Sequence, residues 1–132
     1  MKGFILDASA LLAMLQNEPG SARVVGVLDK CAMHTVNMAE VIARLMRSGV
    51  PLTDAESMVY GLHLEAEPRL DDPGRCGHLL ATQNKLGLSL GDCVCLTTAA
   101  LSKAIAVTAD HRWKELDGID LQGMRLRVEV IR

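Results

Sequence analysis

A chain of 132 residues, 49% hydrophobic and 23% charged, has the composition of one folded domain, not of a disordered segment, and is long enough to bury roughly two thirds of the surface its unfolded form exposes. A formal net charge of −2 creates no global field for a polyanion, and aromatics at 2% exclude stacked aromatic platforms, so any nucleic-acid contact must be mostly electrostatic. No apolar run approaches the roughly 20 residues of a membrane helix, and the expectation is a single domain over residues 1–132, cytoplasmic and without membrane association.

Phe4 to Leu6 read as a short strand ending at Asp7. Ser9 then opens a helix carrying Leu11, Leu12 and Leu15, which Pro19 stops. A second helical stretch runs through Ala22, Val25 and Leu28, and Met33 to Val36 read as a brief strand closed by Asn37. From Asn37, the set Met38, Val41, Ile42, Leu45 and Met46 has the i, i+3, i+4, i+7, i+8 spacing of a half-buried helix. Gly49 and Pro51 end it, and Thr53 with Glu56 predicts a capping box for a helix using Ala55, Met58, Val59 and Leu62. A weak strand is expected around Leu64. Pro68 and Pro73 bracket an acidic turn, after which a helix through Cys76, Leu79 and Leu80 runs to a left-handed stop at Gly87. Ser89 caps the next helix through Cys95, Leu96, Ala99 and Ala100. Ile105 to Thr108 read as a buried strand, Asp110 to Leu116 as a helical turn or two, and Leu126 to Ile131 as a last, partly exposed strand.

This alternation predicts an α/β domain with a mainly parallel sheet, whose sites form beyond the carboxyl ends of the strands. Asp7 and Asp110 fall on that rim. Cys31, Cys76, Cys93 and Cys95 lack a zinc-type CxxC spacing and are expected as reduced thiols. His34, His63, His78 and His111 lack the short mutual spacings of metal ligands and are expected as surface or capping residues.

Asp7, Glu40, Asp92 and Asp110 each sit at a strand end or near a helix start. Taken singly, each is explained by capping, and Asn37/Glu40 and Ser89/Asp92 have capping-box spacing. Taken together they predict convergence on one rim. Crowded carboxylates repel, so such a cluster must take up protons or recruit a cation. Oxygen ligands without His or Cys favour Mg²⁺ or Mn²⁺ over zinc, and the open positions suit a phosphodiester. Ser9 and Thr108 are candidates for orienting a ligand carboxylate or water. Arg112, Lys114, Arg125, Arg127 and Arg132 form a basic cluster near the C-terminus whose alternative reading is a set of solvated faces.

Four segments carry a family resemblance: Leu6-Asp7-Ala8-Ser9-Ala10-Leu11-Leu12-Ala13, Asn37-Met38-Ala39-Glu40-Val41, Gly87-Leu88-Ser89-Leu90-Gly91-Asp92, and Val107-Thr108-Ala109-Asp110 followed by Trp113. In that order they resemble the acidic motifs of PIN domains, and their span resembles the compact VapC-type toxins of bacterial toxin–antitoxin pairs. The resemblance implies a three-layer α/β/α domain with a mainly parallel sheet of about five strands. It also implies Mg²⁺- or Mn²⁺-dependent endoribonuclease activity, a homodimer and inhibition by a cognate antitoxin protein. Asp7, Glu40, Asp92 and Asp110 would be the metal-binding, catalytic acids, assisted by Ser9 and Thr108. Many relatives carry Arg or Lys directly after the third acid, where this chain has Cys93. Arg112, Lys85 and Lys114 are then the candidates for contacting RNA, by phosphate contacts that position without reading sequence.

Two other functions fit parts of the pattern. A phosphoryl-transfer or signalling domain would use Asp7 as phospho-acceptor, but it asks for a different acid pattern. A non-catalytic binding module would use the acids only as helix caps and would show no metal dependence of stability.

Overall fold

The computed structural model describes residues 2–132. In chain order the elements are β1 (Phe4–Leu6), α1 (Ala8–Leu15), α2 (Ser21–Val27), β2 (Cys31–His34), α3 (Thr35–Arg47), α4 (Leu52–Tyr60), β3 (Glu65–Glu67), α5 (Pro73–Thr82), α6 (Leu90–Leu101), β4 (Ile105–Thr108), β5 (Asp120–Leu121), β6 (Met124–Arg125) and β7 (Val128–Val130). Five strands form one parallel sheet in the order β3-β2-β1-β4-β7, and β5 and β6 form a separate two-stranded hairpin.

Successive residues of a strand face opposite sides, and both sides of this sheet are covered. Ile5, Ala32 and Ala106 point into one core with α5, α6 and Trp113. Leu6, Cys31, Met33 and Val107 point into the other, with side chains from α1 to α4. The expected three-layer α/β/α architecture is therefore present. All four cysteines are free and buried.

Four local expectations are corrected. The first helix is capped by Asp7, not Ser9: the Asp7 carboxylate accepts from the Ala10 amide at 2.8 Å. β2 lies two residues earlier than its predicted span, because His34 caps α3, its Nδ1 accepting from the Val36 amide at 3.0 Å. That leaves Asn37 inside the helix, free of any capping duty. α4 starts directly after Pro51 with no side-chain cap, so Thr53 is already helical and its box with Glu56 does not form. Gly87, with φ of +66°, ends the short 3-10 turn Asn84–Leu86 instead of α5, which stops at Thr82. The weak strand near Leu64 is β3, and the hairpin β5–β6 was not anticipated: its turn is Gln122-Gly123, both at positive φ.

Candidate active site

The parallel register sets Leu6 beside Val107, so the next residues at the carboxyl edge, Asp7 and Thr108, become neighbours although 101 residues apart. Thr108 donates its hydroxyl to Asp7 Oδ2 at 2.6 Å. Ser9 reaches both Asp7 oxygens, at 2.8 and 2.9 Å, and its own Oγ accepts from the Ala109 amide at 2.9 Å. Thr108 Oγ1 in turn accepts from the Asp110 amide at 3.0 Å. Ser9 and Thr108 thus tie the ends of β1 and β4 together and fix the orientation of one carboxylate between them.

Asp7 is only 4% exposed. Burial raises its pKa to about 6; the bonds from Thr108, Ala10 and Ser9 oppose that rise, and the charge of Asp92 adds to it. No basic side chain pairs with Asp7 among the described residues.

Asp92 lies in the first turn of α6, where the predicted capping box is formed: Ser89 Oγ accepts from the Asp92 amide at 3.1 Å, and Asp92 Oδ2 accepts from the Ser89 amide at 2.9 Å. Glu40 arrives from the second turn of α3. Asn37 Nδ2 donates both to Glu40 Oε1, at 2.8 Å, and to the Gly91 carbonyl, at 3.0 Å, so this one amide joins α3 to the start of α6. The Glu40 carboxylate lies so close over Gly91 that a Cβ there would stand 2.5 Å from Oε1. Asn37 is 1% exposed, and its Oδ1 is a buried acceptor without a partner. Asp7, Glu40 and Asp92 also converge electrostatically: burial first, then the charges of all three, holds the Cys95 thiol well above its ordinary pKa.

Asp110 is oriented differently. It caps the 3-10 turn His111–Leu116 through the Arg112 amide, and its carboxylate grips the Arg112 guanidinium at 2.6 to 3.1 Å. Arg112 holds the Asp110 carboxyl below its ordinary pKa. The other end of Arg112 donates to the Leu86 carbonyl at 2.7 Å. No three Asp, Glu, His or Cys side chains are gathered as a ready ligand set among the described residues. Lys85 and Lys114 are exposed on the two short 3-10 turns. The predicted basic cluster is dispersed: Arg125 and Arg127 join Lys103 around a cavity of about 290 Å³ near the amino ends of β4 and β7, and Arg132 lies past the carboxyl end of β7.

Asn37 and Gly91 are the site residues that sequence reasoning did not select. Gly91 carried a weak signal, a glycine in the first turn of a helix beside an acid. Asn37 was read as a cap.

The hydroxyl of Thr108 is the strongest of the hydrogen bonds that keep Asp7 ionisable. Thr108→Val conserves shape and removes it, so the Asp7 pKa should move further up and the carboxylate should be harder to deprotonate for any ligand role. The expected result is an upward shift of the Asp7 titration from about 6 in the variant, measured by NMR titration of the side-chain carboxyls of both proteins.

Together, the fold and the site define a doubly wound α/β domain with an acidic centre at the carboxyl edge of its sheet. The chain belongs to the PIN domain family, whose model matches residues 4–119. No curated protein matches it in sequence at a significant level. Solved structures share the fold. A chain of the DNA-bound VapBC structure from Salmonella typhimurium is 15% identical, with a TM-score of 0.71 over 100% of both chains. A toxin–antitoxin complex from Klebsiella pneumoniae gives 16% identity and a TM-score of 0.68 over 97% of each chain. A VapBC-family toxin–antitoxin system of Mycobacterium tuberculosis gives 20% identity and a TM-score of 0.61 over 98% of each.

Proposed function

We propose that this chain is a metal-dependent endoribonuclease that hydrolyses RNA phosphodiester bonds, acting as the toxin of a type II toxin–antitoxin module. The observation that carries the reading is Asp7: a nearly buried carboxyl at pKa about 6, facing Asp92 and no cation. Capping accounts for Asp7, Asp92 and Asp110 as individual residues. It does not account for Glu40, which caps nothing and is held over the start of a helix more than fifty residues away. A phospho-acceptor role for Asp7 fits less well, since no lysine or other basic side chain pairs with it among the described residues.

The donor set suits a small hard cation: carboxylate oxygens, an unpartnered amide oxygen on Asn37, and no histidine. Asp7, Glu40 and Asp92 would hold Mg²⁺ or Mn²⁺, with Asp110 joining once it leaves Arg112. When bound, the ion supplies a charge that offsets the negative charge developing on phosphorus and eases deprotonation of the attacking water. Ser9 and Thr108 keep Asp7 in one orientation. Asn37 keeps Glu40 in its place. Arg112 pairs with Asp110 and offsets its charge.

The antitoxin partner is proposed from the toxin–antitoxin complexes among the solved relatives, and a homodimer and a cytoplasmic location accompany that reading. No helix of the described residues is long and apolar enough to cross a membrane. The test is cleavage of total cellular RNA by the purified protein with Mg²⁺, with Mn²⁺ and with EDTA. Discrete fragments that require the metal are expected. Cleavage indifferent to EDTA, or no cleavage together with no rise in melting temperature on adding metal, would overturn the proposal.

A further inference from the structure

We propose that the cleft between α1 and α3 is a binding site for an RNA backbone phosphate next to the scissile one, with Arg44 as the guanidinium that takes it. This rests on reading the acidic centre as a ribonuclease site. The cleft has a volume of about 200 Å³ and is lined by Ser9, Leu12, Gln16, Glu18, Arg44 and Arg132. Ser9 also donates to Asp7, so the cleft opens one side chain away from the buried carboxylate. Its volume holds a phosphate with several waters, given the roughly 30 Å³ that one water occupies in the liquid.

Of the two arginines that line the cleft, Arg44 is the one without an ion pair. It lies one helical turn beyond Glu40 on α3, so both project toward the same side of that helix. It takes part in no ion pair among the described residues. The other arginines near the carboxyl edge are occupied. Arg112 is held by Asp110 and Leu86, and Arg132 faces Glu18 at a loose 3.8 Å. Cys93, which follows the third acid, is fully buried and offers nothing to a substrate.

A guanidinium that binds one phosphate of single-stranded RNA releases condensed counterions, contributing about 0.7 to the slope of log K against log salt and about a fourfold gain in affinity at about 0.15 M salt. The experiment measures binding of a short fluorescein-labelled oligouridylate by anisotropy across a salt series with Mg²⁺ present. Asp7→Asn serves as the non-cleaving background, with Arg44 kept, changed to Ala or changed to Lys. Total-RNA cleavage by proteins with Asp7 intact is followed alongside. Arg44→Ala should lower the slope by about 0.7 and weaken binding about fourfold, and Arg44→Lys should restore most of both.

Unchanged slope and affinity in Arg44→Ala would overturn the subsite, as would loss of affinity with no change in slope, since that is not a phosphate contact. Intact RNA binding with loss of a co-purified protein partner would also overturn it and assign the cleft to that partner. Failure of the two readings is separable. Arg44-dependent binding without any cleavage by wild type removes the nuclease and keeps the phosphate site; cleavage with Arg44-independent binding does the reverse.

Discussion

On the proposed function, Asp7→Asn should lower RNA cleavage by at least about a hundredfold, and it should also make the metal-free protein more stable near neutral pH. Both expectations follow from one group. In the folded chain the Asp7 carboxyl titrates at about 6, against an ordinary value of 3.8. Between those values the folded protein retains a proton that the unfolded chain gives up, so stability falls as pH rises through this window. The full loss, about 3 kcal/mol for roughly two pKa units, is present above the folded value. Asparagine carries no charge to desolvate. Its carbonyl oxygen can still accept from the Ala10 amide, and Asn caps helices as well as Asp does.

The measurement is thermal unfolding of both proteins in EDTA at acidic and at mildly alkaline pH. The variant's advantage should be small near pH 4 and largest at about pH 8. Adding Mg²⁺ should then raise the wild-type melting temperature and leave the variant unchanged, because only a state that binds the ion gains from it. An Asn variant that cleaves RNA normally, or that is no more stable than wild type at alkaline pH, would remove Asp7 from the centre of the site.

What the sequence made legible was what local chemistry decides. Asp7 at the end of β1, the Ser89/Asp92 box of α6 and the buried strand Ile105–Thr108 all lie where their spacing placed them. The ordered acidic motifs pointed to the family and to the three-layer fold. The errors came where two local signals competed. Asn37 has the composition and spacing of a cap, but His34 reaches the free amide first, which moves β2 and the start of α3 together. The pairing of Asp110 with Arg112 involves residues two apart, yet the second anchor of that guanidinium is the Leu86 carbonyl on another loop. Arg44 carries no local signal at all: its meaning depends on how α1 packs against α3. The scattered positions of Arg125, Arg127 and Arg132 likewise follow from β7 running through the sheet, which separates residues adjacent in sequence to opposite edges.

Gly91→Ala separates stability from activity in the opposite way to a core substitution. Gly91 does not adopt a positive φ, and alanine is favoured over glycine inside a helix by about 1 kcal/mol, so the backbone of α6 should accept the change. The added Cβ, however, would stand 2.5 Å from Glu40 Oε1 and 2.6 Å from its Cδ, far inside ordinary contact distance. The cheaper adjustment is for the flexible Glu40 side chain to swing away, since shifting the helix would also break the Asn37 bond to the Gly91 carbonyl. Glu40 then loses its bond from Asn37 and its place beside Asp7 and Asp92. Cleavage should fall by about ten- to a hundredfold while the melting temperature stays within a few degrees of wild type. Glu40→Asp in the Gly91→Ala background, with a carboxylate one methylene shorter, should recover part of the loss, although Glu40→Asp alone should impair the wild type. Such a sign reversal in a double-mutant cycle requires direct coupling between the two positions. Additive losses, or full activity in Gly91→Ala, would show that the close approach of Glu40 to α6 has no part in the reaction.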